Sequence, residues 1–154
     1  MSGKALIVVY SYHHGNTAKV AQAMAKTAHA EVKQIDEVTE DDILNCTLLG
    51  LGAGIDSAKH YQPMLDFAET LPAAGGQKVF LFSTAALASE KKMVSDHNTL
   101  RDIVTKKGYK VAGEFSCKGY NTNSFLKFIG GMNKRHPDAE DLRAAENFID
   151  TLID

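Results

Sequence analysis

Hydrophobic residues along this chain alternate between two regimes: short, nearly continuous apolar runs, and longer stretches with apolar side chains at helical spacing. The runs cover residues 5–10, 31–35, 47–52, 78–83 and 110–117. The first, third and fourth are almost unbroken, as expected of strands covered on both faces. The second carries Lys33 and Gln34 and suits a sheet edge. Between the runs, Val20, Ala21, Met24 and Ala28 mark one helix face. Met64, Leu65, Ala68 and Leu71 mark a second, with Pro63 in its first turn. Leu100, Ile103 and Val104 mark a third, stopped by Gly108. A last helix opens after Pro137 with Asp138 as its cap and buries Leu142, Ala145, Phe148, Ile149 and Leu152. Residues 39–44 have room for a turn or two of helix.

Strands alternating with helices imply a parallel sheet joined by right-handed crossovers. The expected fold is α/β, a three-layer doubly wound sheet of five parallel strands in the order 2-1-3-4-5, forming one domain over residues 1–154. Such sheets bind ligands outside the carboxyl ends of their strands. That directs attention to residues 11–17, 53–62 and 84–90. Residues 118–137 show no clear periodicity, and a stretch that long is usually functional or holds hidden structure.

Composition narrows the setting. The chain is 44% hydrophobic and 23% charged with a net charge of −2, so nothing in its balance demands nucleic acid or an anionic membrane. Cys46 and Cys117 are too few for a disulfide framework or a thiolate zinc site. No run approaches the ~20 apolar residues of a membrane span. The start lacks a signal peptide's regions, which makes the cytoplasm the expected location.

The first exit holds the most chemistry. A buried strand feeds Ser11, Tyr12, His13, His14, Gly15, Asn16 and Thr17, and an amphipathic helix follows at once. Free N–H groups and the helix dipole favour an anion there. A dinucleotide fingerprint would need three glycines, and only Gly15 is present; a Walker loop's Gly-Lys-Ser/Thr is absent. Gly50, Gly52 and Gly54 belong to the third strand and its exit and read as packing and turn glycines. A terminal phosphate held by hydroxyls and backbone N–H groups fits, with Thr17 capping the helix and offering its hydroxyl. A plain capping turn is the alternative.

Residues 10–17, Tyr-Ser-Tyr-His-His-Gly-Asn-Thr, resemble the phosphate loop of the flavodoxin-like family, of the short-chain, FMN-binding type. Residues 49–55, Leu-Gly-Leu-Gly-Ala-Gly-Ile, are similar to its third strand and flavin loop. Residues 78–84 resemble its fourth strand, and residues 136–152 its closing helix. The resemblance implies a noncovalent FMN with its phosphate on Tyr12 to Thr17. The ring would lie between the backbones of Ala53, Gly54, Ile55, Asp56 and Ser57 and of Thr84, Ala85, Ala86 and Leu87. Tyr12 and His14 stand where the family usually has hydroxyls, and His13 and His14 offer ring N–H groups instead. No aromatic follows the fourth strand, which leaves Tyr61 or Tyr120 to cover the ring. A metal on His13, His14 and His60 lacks supporting carboxylates. Asp56 is either an acid that lowers the flavin potential or a solvated loop acid. Cys117 reads as a buried, inert thiol, and Lys59, Lys91, Lys92 and Lys118 as solvated.

The resemblance implies an FMN electron carrier shuttling low-potential electrons between redox proteins, with no catalytic side chain of its own. The near-neutral charge departs from the family's acidic carriers. Residues 52–60 are also similar to the corresponding loop of flavodoxin-like enzymes acting on a quinone or protoporphyrinogen. A phosphorylated receiver module would need acids at the exits of the first and third strands, where Tyr10-Ser11 and Gly52-Ala53 stand.

Overall fold

Alternation along the strands sets the layering. In β1 (Ala5–Tyr10), Leu6 and Val8 enter one hydrophobic cluster and Ile7 and Val9 another, and all four are buried. A strand buried on both faces needs helices on both faces, and the remaining elements supply them. The computed structural model describes residues 4–11, 15–86, 88–119 and 136–153. β1 is followed by α1 (Asn16–Ala28), β2 (Glu31–Gln34), a 3-10 turn at Ile35–Glu37 and α2 (Glu40–Asn45). Next come β3 (Leu48–Asp56), β4 (Lys59–His60), α3 (Gln62–Glu69) and β5 (Lys78–Ala85). The chain closes with α4 (Glu90–Asp96), α5 (Asn98–Lys106), β6 (Lys110–Lys118) and α6 (Ala139–Asp150).

The principal strands pair in parallel in the order β2-β1-β3-β5-β6, the doubly wound order expected. The short β4 is an addition: it runs antiparallel to the end of β3, with Ile55 opposite His60 and Asp56 opposite Lys59. β3 therefore does not stop at Gly52. Ala53 still pairs with Tyr10 and Ser83, and Gly54 with Thr84, before β4 takes over the pairing. The apolar run ends at that point, but the backbone hydrogen bonding does not.

α1 and α6 cover one face, where Val20, Met24, Ala145 and Ile149 meet Ile7, Val9, Phe80 and Phe82. α3 and α5 cover the other, where Met64, Leu65, Leu100 and Val104 meet Leu6, Val8, Leu49, Leu51 and Leu81. Gly50 and Gly52 make the first face possible. A Cβ on Gly50 would lie 2.3 Å from the Phe80 ring, and one on Gly52 2.2 Å from that of Phe82. Two large rings fill the room those side chains would need. The expected ends of the helices hold: Asp138 caps α6 by accepting from the Asp141 N–H, and Gly108 follows α5 with φ +92°.

α4 had no signal in the hydrophobic pattern. Its apolar residues are Met93 and Val94, and Val94 is 53% exposed, so a buried stripe is missing. The Ser89 hydroxyl caps it by accepting from the Lys92 N–H. Residues 120–135, most of the aperiodic stretch, lie outside the described residues. Among those described, no helix is long and apolar enough to cross a membrane.

Candidate functional site

Parallel pairing brings the exits of β1, β3 and β5 to one edge of the sheet, and the predicted site residues that the structure describes gather there. At the β1 exit, Ser11 donates its N–H to Gln34 Oε1 at 3.4 Å. Its Oγ is buried and has no hydrogen-bond partner among the described residues. Gly15 occupies the N-cap of α1 with φ +65°, a backbone angle that suits glycine, and it has no side chain to cap the helix. A Cβ built on Gly15 would meet nothing within 4 Å among the described residues.

Thr17 is therefore not the cap that its place in the sequence suggested. It lies inside the first turn of α1, buried, with Oγ1 2.9 Å from Thr84 Oγ1. Two hydroxyls carry two protons and share one between them, so the pair keeps one O–H to donate outward. Gly119 closes over this junction, since a Cβ there would lie 2.8 Å from Asn16 Nδ2 and 3.1 Å from Thr84 Cβ. Asn16, Thr17 and Thr84 thus form one buried group. Tyr12, His13, His14 and Leu87 lie outside the described residues, as does Tyr120.

At the second exit, Ala53 and Gly54 belong to β3 rather than to a loop and are buried, whereas Ile55 is half-buried and Asp56 and Ser57 are exposed. Ser57 and Ala58 form a two-residue hairpin turn with φ of 54° and 62°. Turns of that type favour glycine or asparagine, and each other residue placed there costs on the order of 1 kcal/mol. Tyr61 packs on Gly54, whose missing Cβ would lie 2.7 Å from the ring, and meets Tyr10 edge-on at 6.1 Å. At the third exit, Thr84 and Ala85 complete β5 and are buried, and Ala86 follows them at the surface edge.

Behind these exits lies a polar cluster that the hydrophobic pattern did not reveal. His97, at the junction of α4 and α5, is fully buried. Its Nε2 is 2.7 Å from Ser83 Oγ, and its Nδ1 is 2.9 Å from Glu114 Oε1. Arg101 donates to both oxygens of Glu114 at 2.7 Å. Burial alone would raise the Glu114 pKa, but hydrogen bonds from His97 and Arg101 outweigh it and hold the carboxyl down at about 2. Ser83 also reaches Ser116 Oγ at 3.2 Å. His60 lies over His97 with ring centres 4.7 Å apart, and its Nε2 is 3.0 Å from the Phe82 carbonyl oxygen. Burial first, and His97 second, lower the His60 pKa to about 3, so its ring is neutral and donates Nε2–H to that carbonyl. His60 and His97 are fully buried but stand in polar segments of the chain, so neither gives a periodic signal, and only the packing of β4 against the α4–α5 junction joins them.

Cys117 is buried beside Phe82 in the α1–α6 cluster, and burial pushes its thiol up to about 12. That is an inert thiol, as its surroundings suggested.

A family profile described as a flavodoxin domain matches residues 7–148. The chain belongs to the flavodoxin-like family. An uncharacterised protein of Methanocaldococcus jannaschii is 39% identical over 150 residues, spanning 97% of this chain and 98% of that protein. Among solved structures, a flavodoxin from the domain Archaea superposes with a TM-score of 0.69 at 15% identity, covering 97% of this chain and 96% of its own. An NADH:FMN oxidoreductase in apo form gives 0.66 at 15% identity, covering 98% and 90%. At those identities the two structures speak for the shared flavodoxin-like fold.

Proposed function

We propose that this flavodoxin-like chain binds FMN noncovalently and carries electrons between redox proteins of the cytoplasm. One observation carries the reading: the buried Ser11 hydroxyl, without a partner among the described residues, stands at the β1 exit, just ahead of a helix start that Gly15 leaves without a side-chain cap. The Thr17–Thr84 pair adds a spare O–H beside them. A phosphate dianion needs such donors, and none of Ser11, Gly15, Asn16, Thr17 or Thr84 is acidic.

On this reading Ser11, Tyr12, His13, His14, Gly15, Asn16 and Thr17 hold the phosphate. Ile55, Asp56 and Ser57 flank one side of the ring and Ala86 and Leu87 the other, with Ala53, Gly54, Thr84 and Ala85 as the buried backing. When bound, the flavin supplies reversible uptake of electrons. The chain's residues bind and orient it, and the dry ends of β3 and β5 keep water from its inner side. Comparing FMN with riboflavin, which lacks the phosphate, tests the reading directly by fluorescence quenching. A preference for FMN supports it; equal affinity, or none, removes it.

The net charge of −2 favours keeping a second reading, an FMN oxidoreductase that acts on a quinone or protoporphyrinogen, since weak charge gives little steering toward a protein partner. Coulometric reduction separates the two. Two resolved one-electron waves fit the carrier, and a single two-electron wave fits the enzyme.

A further inference from the structure

We propose that His60 is a positioning residue for this site: with His97 as its anchor, it clamps the strained β3–β4 turn against the exit of β5. That the clamped turn flanks a flavin rests on the FMN reading; the clamp itself does not.

The turn needs a tether. Ser57 and Ala58 both hold left-handed backbone angles without being glycine, and β4 contributes only Lys59 and His60 to the pairing. So short a hairpin is at best marginal alone. Two holds are seen. Tyr61 donates its N–H to the Gly54 carbonyl at 3.0 Å, which closes the hairpin on itself. His60 instead reaches across to another strand, donating to the Phe82 carbonyl of β5.

The cost of using histidine there identifies its purpose. His60 is fully buried, and its Nδ1 has no hydrogen-bond partner among the described residues. An apolar side chain would fill the space without stranding a polar atom. What the imidazole adds is the Nε2–H donor and a flat face against His97.

His97 can serve as anchor because both of its nitrogens are held. Glu114 accepts from Nδ1, itself gripped by Arg101 through two hydrogen bonds, and Ser83 takes Nε2. Serine, histidine and carboxylate in this order match the bonding of a nucleophilic triad. Ser83 is completely buried, and its Oγ donates its one proton to Ser116 Oγ, so it is not set up as a nucleophile toward His97. The arrangement orients rather than attacks. It also divides β5 between two tasks: Ser83 ties to His97 on one face, while the next residue, Thr84, ties to Thr17 at the start of α1 on the other. The turn, the β5 exit and the helix start are thereby held in one frame.

The test uses the full chain with His60→Phe, which keeps an aromatic ring but removes the donor, and His60→Gln, whose side-chain N–H can reach the same carbonyl. Amide hydrogen exchange is followed with and without FMN, and affinity is measured for both FMN and riboflavin. The Phe variant should exchange roughly tenfold faster at the paired hairpin amides, above all that of Tyr61, which bonds the Gly54 carbonyl, while β1 is unchanged, the scale of one net hydrogen bond. It should also lose affinity for FMN and riboflavin by the same factor, roughly tenfold, because the phosphate contacts are untouched. The Gln variant should restore both. Unchanged exchange at the turn, or faster exchange spread evenly through β1 and β5, would overturn the clamp. A wild-type chain that bound neither flavin would end the FMN reading and the ring-positioning role together, while exchange at the turn would still decide the clamp.

Discussion

The Thr17 and Thr84 hydroxyls lie 2.9 Å apart, buried, and join the first turn of α1 to the last residues of β5. Residues 67 positions apart in the chain thus share one hydrogen bond at the candidate site. Replacing Thr17 by Ala removes a donor and leaves Thr84 without its partner. FMN affinity should fall roughly tenfold, while riboflavin affinity changes little. A Thr84→Val change combined with Thr17→Ala should cost less than the sum of the two, which a double-mutant cycle by fluorescence titration reads out.

Ser11 gives a prediction of opposite signs. Its hydroxyl is buried without a partner among the described residues, so Ser11→Ala relieves a desolvated polar atom. The ligand-free variant should unfold at the wild-type temperature or above it. The same variant should bind FMN more weakly. A loss of both stability and affinity would show that the hydroxyl is satisfied within the protein.

Gly52→Ala drives a methyl group into the Phe82 ring, which lies 2.2 Å from the position of the new Cβ. Overpacking of this kind costs about 1–3 kcal/mol. Chemical denaturation should show a lower midpoint with an unchanged slope. Gly52→Ala with Phe82→Leu should recover part of the loss, because the smaller side chain makes room.

Ala58→Gly should stabilise the chain by about 1 kcal/mol, since φ of +62° suits glycine and strains alanine. Calorimetry would register a higher unfolding temperature.

Acid should weaken the fold in two overlapping windows. The buried His60 resists protonation down to about pH 3, against an ordinary value of 6.5. The unfolded chain takes up that proton first, so stability present above pH 6.5 is lost as pH falls toward 3. Glu114 titrates at about 2 when folded and 4.5 otherwise, so its contribution is full above 4.5 and is lost as pH falls through 2. Between these two groups, the range from 6.5 to 4.5 belongs to His60. Denaturation curves for His60→Phe should be flatter across that range than those of the wild type, and unchanged curvature would contradict the buried neutral imidazole.

The alternation of strands and helices, the two-sided core and the phosphate-loop candidates follow from local sequence, and the strand order from the fold class that the alternation implies. Unbroken apolar runs such as residues 5–10 suit strands covered on both faces, and the i, i+3, i+4 spacing of Val20, Ala21 and Met24 suits a helix buried on one side. Gly15, Asn16 and Thr17 announce a helix start because turn chemistry is local. Tertiary structure alone decided which hydroxyl meets which. Thr17 turned from cap to partner of Thr84, and β3 continued past Gly52, because neighbouring strands supplied hydrogen bonds that no run of side chains records. The assembly of His60, His97, Ser83, Glu114 and Arg101 is of the same kind. Each is an ordinary polar residue in its own segment, and only the register of β4, β5 and β6 against α5 brings them within bonding distance, where burial converts them from solvated groups into a fixed frame.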